Sequence, residues 1–130
     1  MIGLDTNVVV RYLTHDDSAQ AAAVTKLFAS LSADDPGFLS LTVIVETVWV
    51  LRGSYGLKKG EIADVLEMLL RSKEIIVERA DLVVQALRKF RAARADFSDC
   101  LIERCGSEAG CEYTVTFDKR ASDAGMKLLS

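Results

Sequence analysis

The sequence contains a single histidine, His15, in 130 residues. A zinc site of the H-E-x-x-H type and an acid–base pair of two histidines are therefore excluded within one chain. The three cysteines are odd in number and form no C-x-x-C pair, so we interpret them as reduced, buried thiols. Neither a G-x-x-x-x-G-K-[ST] loop nor a G-x-G-x-x-G fingerprint occurs, which leaves nucleotide cofactors without a recognisable binding motif. Any catalysis would depend on carboxylates, hydroxyls or a hard metal ion held by carboxylates.

Long apolar runs are also missing. The longest, from Phe38 to Leu51, is interrupted by polar residues and is shorter than the roughly 18–20 residues of a membrane span. The amino terminus, MIGLDTN, has neither the basic segment nor the cleavage pattern of a signal peptide. We therefore expect a soluble protein of the cytoplasm that has no membrane partner.

Half of the residues are apolar and 27% are charged, which is typical of a chain with a packed core. Because domains commonly have about 100–150 residues, we predict a single domain over residues 1–130. Short apolar runs alternate with longer stretches of helical periodicity, and this alternation requires crossover connections. The pattern predicts an α/β fold of three layers, in which a mostly parallel sheet is covered by helices on both faces.

Apolar runs at 1–4, 38–41, 74–77 and 111–117 predict four strands. Helical periodicity predicts helices over 6–13, 42–55, 60–71, 81–94 and 96–108, and a short helix after Asp118. A further helix ends near Leu31 and can be capped by Asp16, Asp17 or Ser18. We expect Thr6 and Thr42 to cap the helices that follow them.

Acidic residues stand at places where packing does not explain them. Asp5 directly follows the first strand and Asp118 the fourth, and ligands of parallel sheets bind beyond the carboxyl ends of the strands. Capping of the next helix is the competing explanation for both. Glu46 lies in an apolar helix, either on a narrow solvent-facing stripe or buried with a cation, because burial of an unpaired carboxylate costs several kcal/mol.

Asp96 and Asp99 open the late helix three residues apart, so they lie on one helical face. Capping explains Asp96 better than Asp99, although the helix dipole favours anions at both positions. Several carboxylates without a histidine are the ligand set of a hard cation such as Mg²⁺ or Mn²⁺.

Four segments in order, MIGLDTN, ETVWVL, DFSDCLI and TFD, resemble the PIN-domain ribonucleases, and most closely the VapC-type toxins of toxin–antitoxin pairs. The resemblance covers essentially the whole chain and implies a PIN-like sheet of four or five strands. Only MKLLS remains for the family's last strand, which we expect to be short or absent. The resemblance implies four catalytic acids that bind Mg²⁺ or Mn²⁺, namely Asp5, Glu46, Asp99 and Asp118. It implies one candidate further ligand, Asp96. It also implies three polar residues that support the acids, namely Thr6, Asn7 and Thr116.

The implied activity is metal-dependent cleavage of single-stranded RNA by a toxin, which a small antitoxin protein neutralises. We expect the toxin to form a homodimer through apolar residues of the early helices. Two alternatives stay open: a catalytically silent PIN-like module that binds RNA or protein, and an RNA-processing PIN nuclease without an antitoxin. A complete set of acids favours activity, because a silent module gains nothing from keeping like charges together.

The net charge of −3 is unfavourable for binding RNA phosphates. Without the five candidate site acids, however, 14 acidic residues stand against 16 basic ones. A run of basic residues leads into the acid pair at 96 and 99, with an ordinary solvated helix face as the alternative explanation. We expect the aromatic residues Tyr12, Phe28 and Trp49 to be core or dimer contacts. The candidates for RNA binding are Arg88, Arg91, Arg94 and Lys119.

Overall fold

The structure is a computed structural model that describes residues 1–15 and 18–129. The chain divides into two compact units, Met1–Glu78 and Arg79–Ser130. Asp16 and Asp17, two of the candidate caps of the second helix, lie outside the described residues. Across the described residues, no helix is both long and apolar enough to cross a membrane.

The first unit contains a parallel sheet of three strands with two helices in each crossover. The strand order is β1-β2-β3, and residue Gly37 of β2 pairs with Ile2 on one side and Ile75 on the other. This confirms the parallel pairing that the alternation predicts. The elements are β1 (Ile2–Gly3), α1 (Thr6–Thr14), α2 (Ser18–Ser30), β2 (Gly37–Leu39), α3 (Leu41–Gly53), α4 (Lys59–Arg71) and β3 (Ile75–Val77).

The caps of two helices of this unit precede the predicted caps, by one residue in α1 and by two residues in α3. The cap of α1 is Asp5, whose carboxylate accepts from Thr6 N, so the expectation of a Thr6 cap is wrong. The cap of α3 is Ser40, whose hydroxyl accepts from Val43 N at 3.2 Å, so Thr42 is not the cap either. In both cases the residue that ends the strand's extended backbone satisfies the free amides of the first helical turn.

The core of the first unit is formed by helical stripes on α3 and α4. On α3 the buried positions are Ile44, Thr47, Val48 and Leu51, a spacing that places them on one face. On α4 the stripe is Ile62, Ala63, Leu66 and Leu69. Each fully buried leucine or isoleucine contributes roughly 1.5–3 kcal/mol to stability.

The aromatic residues of the first unit have two different environments. The rings of Tyr12 and Phe28 stack at 3.7 Å between centroids, which agrees with the expected packing contact. Trp49 is 60% exposed, so it is not a core residue of this chain.

The second unit packs α5 against α6 and ends in a parallel pair of short strands. Strand β4 pairs with β5 through Val115↔Lys127 and Thr116↔Leu128. The predicted strand over 111–117 is therefore shorter, since the chain is still turning at Gly110 (φ 95°) and Cys111 N donates to the Gly106 carbonyl. A fifth strand is present and has two residues. The elements are α5 (Ala80–Ala92), α6 (Phe97–Glu108), β4 (Val115–Thr116), α7 (Lys119–Ser122) and β5 (Lys127–Leu128).

The interface between α5 and α6 contains the largest buried side chains of the second unit. The rings of Phe90 and Phe97 meet edge to face at 5.9 Å, and Cys100 is fully buried. The three cysteines are free thiols, but Cys105 is partly exposed and Cys111 is exposed, so the expectation of buried thiols is right only for Cys100.

Thr47 gives a direct test of how the α3 stripe is packed. Its side chain is 1% exposed, and its hydroxyl has no hydrogen-bond partner among the described residues. Since an unsatisfied buried hydroxyl costs about 1–3 kcal/mol, Thr47→Val should raise the free energy of unfolding by about 1 kcal/mol in urea denaturation. Thr42→Val, on the exposed side of the same helix, should change it by less than about 0.5 kcal/mol. A destabilised Thr47→Val variant would show that the hydroxyl is satisfied after all.

Candidate functional site

A cleft of about 430 Å³ in the first unit collects the polar residues at the start of α1 and one carboxylate of α3. It brings together four of the predicted site residues, since Asp5, Thr6, Asn7 and Glu46 all line it. Strand β1 ends just before Asp5, so the cleft lies at the carboxyl end of a parallel strand, where ligand sites of α/β proteins are found.

The Asp5 carboxylate caps α1 and is also exposed to solvent. Its Oδ1 accepts a hydrogen bond from Thr6 N at 2.8 Å, so the capping explanation describes a real contact. The side chain is nevertheless exposed in the cleft. A carboxylate has about four lone-pair sites, and this cap uses one of them. Capping and ligand binding are thus compatible at this residue.

Glu46 is exposed, so the solvent-facing stripe is the correct one of its two explanations. Its Oε1 accepts a hydrogen bond from the Thr6 hydroxyl at 2.9 Å. That bond joins residues 40 positions apart and holds a carboxylate of α3 beside the first turn of α1. Thr6 therefore contacts one of the predicted acids directly.

Sequence reasoning missed two further residues that line this cleft, Arg11 and Tyr55. Arg11 Nη1 donates to the Tyr55 hydroxyl at 3.1 Å, and its Nε donates to Gln20 Oε1 at 2.6 Å. The available signal was helical spacing, because Arg11 follows Asn7 by four residues and so shares its face of α1. The cleft combines anionic and cationic side chains.

In the second unit, three acids influence one another electrostatically. Burial raises the pKa of Asp99 above its ordinary value, and the negative charges of Asp96 and Asp118 raise it further. A hydrogen bond from the Asp96 backbone acts in the opposite direction. Asp99 thus makes half of a capping box at the start of α6. Asp96 stands at the N-cap position, but its side chain makes no capping bond, so capping does not explain it.

Asp118 is fixed at the start of α7 by two local hydrogen bonds. Its Oδ1 accepts from Arg120 N at 2.8 Å, and its own N–H donates to the Thr116 hydroxyl at 3.0 Å. The side chain is exposed. Thr116 therefore positions the backbone that carries a predicted acid, two residues further along the chain.

The donor chemistry of both sets of acids fits a hard divalent cation, because all of the ligands would be carboxylate, hydroxyl or amide oxygens. Asp5 and Glu46 provide two carboxylates in one cleft, and at Asp99 burial, together with the negative charges of Asp96 and Asp118, raises the carboxyl pKa. Among residues 1–15 and 18–129, no group of three or more histidine, cysteine, aspartate or glutamate side chains could hold a metal ion.

The basic run on α5 separates into two kinds of residue. Lys89 Nζ contacts Glu103 Oε1 and the Ala124 carbonyl, both at 2.7 Å, and is therefore structural. Arg88 is exposed and lines a second cleft, of about 480 Å³, together with Lys89 and Arg104. The remaining candidates for RNA binding, Arg91, Arg94 and Lys119, have exposed side chains.

The profile of the PIN domain matches residues 2–126 of the chain. The chain therefore belongs to the PIN domain family. The match confirms the predicted resemblance and the three-layer α/β fold class.

Two individual proteins show the likeness at the level of the whole chain. A curated relative, the VapC ribonuclease of Aquifex aeolicus strain VF5, is 25% identical over 128 residues, which cover 98% of this chain and 94% of the relative. The crystal structure of Mycobacterium tuberculosis VapC20, described as a toxin that cleaves the sarcin-ricin loop, is 22% identical. It covers 97% of this chain and 96% of its own at a TM-score of 0.46. The family assignment rests on the profile match.

Two substitutions at Asp5 separate its capping contact from its charge. Asp5→Ala removes the acceptor for Thr6 N and should lower the free energy of unfolding by about 1 kcal/mol in urea denaturation. Asp5→Asn keeps an equally good capping oxygen and should stay within about 0.5 kcal/mol of the wild type. Equal stability of Asp5→Ala and the wild type would show that the cap contributes nothing.

Glu103 should give the second unit a dependence on acid pH. Its hydrogen bond with Arg104 and its contact with Lys89 lower its pKa below the ordinary 4.5. A lowered pKa contributes stability above 4.5, and this stability is lost as the pH falls further. Because Glu103 is only 13% exposed, Glu103→Gln should lower the free energy of unfolding by about 1–2 kcal/mol at pH 7.

The difference between Glu103→Gln and the wild type should shrink as unfolding is measured at pH values progressively below 4.5. The matched control is Glu108→Gln on the same helix, since the pair of Glu108 with Arg79 at 3.4 Å is exposed on both sides. That variant should change stability by less than about 0.5 kcal/mol. A Glu103→Gln effect that is independent of pH would contradict the assignment.

Proposed function

We propose that this chain is a divalent-metal-dependent endoribonuclease that hydrolyses phosphodiester bonds of single-stranded RNA, and that it is the toxin of a toxin–antitoxin pair. The observation that carries the proposal is the cleft in which Asp5 and Glu46 lie together, with Asp5 accepting from the Thr6 backbone N–H and Glu46 accepting from the Thr6 hydroxyl. Membership of the PIN domain family and the similarity to a VapC ribonuclease support it.

The residues proposed to hold Mg²⁺ or Mn²⁺ are Asp5, Glu46, Asp99 and Asp118, with Asp96 as a candidate further ligand. All of them provide the oxygen donors that these ions prefer. When bound, such an ion supplies an activated water and offsets the charge that develops on the phosphate. Supporting observations are the exposure of Asp5 and Glu46 in one cleft and the mutual repulsion of the acids in the second unit.

The other polar residues of the proposed site orient these acids. Thr6 holds Glu46 by donating to Oε1, which leaves the rest of that carboxylate's lone pairs for a cation or water. Asn7 lines the same cleft and offers an amide to an ordered water or the substrate. The Thr116 hydroxyl accepts a hydrogen bond from Asp118 N, and this bond positions Asp118 at the start of α7. Residues that fix ligands in this way are important for metal sites in general.

Phosphate binding would come from exposed cations. Arg88 is the best supported, because it is exposed and lines the second cleft, and we propose the same role for Arg91, Arg94 and Lys119. An ordinary solvated helix face stays the competing explanation of this basic run.

The proposed setting of the enzyme has four parts. Residues 1–130 act as a single domain, consistent with a family match over residues 2–126. The protein acts in the cytoplasm, forms a homodimer and is inhibited by a small antitoxin protein. The 60% exposure of Trp49 on α3 supports an interface on the early helices.

Melting curves with and without Mn²⁺ test the metal site independently of activity. A cation that binds only the folded state stabilises it by about 2.7 kcal/mol at a hundredfold excess over its dissociation constant, equivalent to roughly 10 °C in melting temperature. Asp5→Asn and Asp99→Asn should each remove most of this rise. The control Asp34→Asn, in an exposed turn, should keep it.

In EDTA, Asp99→Asn should melt at or above the wild-type temperature, because the charge that Asp96 and Asp118 repel has been removed.

Purified wild type should cleave an unstructured RNA with Mg²⁺ or Mn²⁺, and EDTA or Asp5→Asn should abolish cleavage. Cleavage that survives in EDTA would overturn the metal dependence. A folded protein that binds RNA without cleaving it would support the silent-module alternative.

A further inference from the structure

Phe117 is 79% exposed, more than any other large apolar side chain that the structure describes. Isolated exposed apolar residues are common, but this one directly follows β4 and has exposed neighbours in the same segment, since Tyr113 is 53% and Val115 is 50% exposed. The exposed aromatic side chain stands immediately before Asp118, a proposed metal ligand.

Side-chain alternation places Tyr113 and Val115 on one face at β4, and Phe117 follows at a bend of the chain just after the strand. Exposed and partly buried residues alternate from 113 to 116, as expected for an extended segment. The opposite face turns inward in the second unit, because a Cβ at Gly106 of α6 would come within 2.6 Å of the Thr114 hydroxyl. The side chains of Tyr113 and Val115 therefore point away from α6, and the Phe117 ring is exposed just beyond them.

A cation belongs to the same face. Lys127 of β5 pairs with Val115, and its Nζ lies 4.5 Å from the centre of the Tyr113 ring. That distance is typical of a cation–π interaction, which holds the ammonium group in place at this surface. Lys119 and Arg120, just after Asp118, are also exposed. The β4 face, defined here as Tyr113, Val115, Phe117 and Lys127, thus combines flat rings with positive charge.

We propose that the β4 face binds unpaired bases of RNA, with a base stacked on the Phe117 ring and a neighbouring phosphate contacted by Lys127. The inference rests on the proposed function and assigns to it a subsite for the substrate. Proteins that bind single strands combine aromatic rings for stacking with cations that follow the backbone. The position of Phe117 next to Asp118 would place the stacked nucleotide beside the proposed scissile site.

Charge and size favour RNA over a second protein surface. A stable protein interface involves about 20–30 residues on each side, whereas the apolar part of this surface is Tyr113, Val115, Phe117 and the 48% exposed Leu129. The exposed Lys119, Arg120 and Lys127 can each contact a phosphate, while the exposed acids Glu112, Asp118 and Asp123 of the same region confine that attraction to these three positions. One stacked nucleotide and its phosphate match a patch of this size.

Binding of a fluorescent oligouridine in EDTA, where the proposed mechanism prevents cleavage, tests the stacking contact by anisotropy. Phe117→Ala should weaken affinity by about 5- to 150-fold, the range for one stacked base. Phe117→Tyr should bind like the wild type because it keeps the ring, and Phe117→Leu should be as weak as Phe117→Ala. The control Met68→Ala, an exposed apolar residue of α4, should have no effect.

The cation is tested by the salt dependence of the same binding reaction. Lys127→Gln should reduce the slope of log affinity against log salt by about 0.7, the value for one phosphate contact on a single strand. Tyr113→Leu should also reduce this slope, because it removes the ring that holds Lys127 Nζ. Tyr113→Phe keeps the ring and should leave the slope unchanged. Blunt duplex RNA, whose bases are paired, should bind equally to the wild type and Phe117→Ala.

Each failure has a distinct meaning. Wild type that neither binds nor cleaves RNA would overturn the proposed function together with this inference. Wild type that cleaves RNA while Phe117→Ala or Phe117→Leu binds normally would overturn the stacking subsite alone. Loss of a dimer by Phe117→Ala in sedimentation, with unchanged RNA affinity, would assign the face to a second copy and overturn the inference.

Discussion

A helix that begins shortly after a strand needs acceptors for its first amide groups, and this need places carboxylates at strand ends in both units. Asp5 caps α1 directly after β1, and Asp118 caps α7 two residues after β4. A carboxylate at such a position is stabilised by the helix dipole while it stays exposed to solvent. The local requirement of the backbone thus keeps negative charge where a cation could bind.

The same requirement explains which predictions from sequence succeeded. Parallel pairing follows from the alternation of apolar runs with helical stretches, and the acids at strand ends follow from where those runs stop. The individual caps do not follow, because serine, threonine and aspartate cap helices almost equally well. The residue that caps is decided by where the backbone leaves the extended conformation. Ser40 and Asp5 occupy that position, whereas Thr42 and Thr6 come after it.

Exposure was the least predictable property of the site. Glu46 lies among apolar residues in sequence, yet it is exposed because the buried stripe of α3 runs through Thr47 and leaves the neighbouring position outside. Arg11 and Tyr55 meet only because α1 and the end of α3 enclose the same cleft. Contacts between residues so far apart in the chain are set by packing, which no local pattern specifies.

The short segment from Tyr113 to Asp118 brings an exposed aromatic ring and a carboxylate together at the end of one strand. Thr116 and Asp118 are two residues apart and joined by a hydrogen bond, while Val115 and Phe117 alternate with them. Asp118 itself keeps an extended conformation, with φ −93° and ψ 121°. The chain bends at Phe117, so the strict alternation of side chains ends with β4, and the ring and the Asp118 carboxylate both follow the end of that strand. A shift of one residue in the pairing of β4 with β5 would exchange the faces of Val115 and Thr116, so the Val115↔Lys127 register fixes the side on which the Thr116 hydroxyl accepts from Asp118 N.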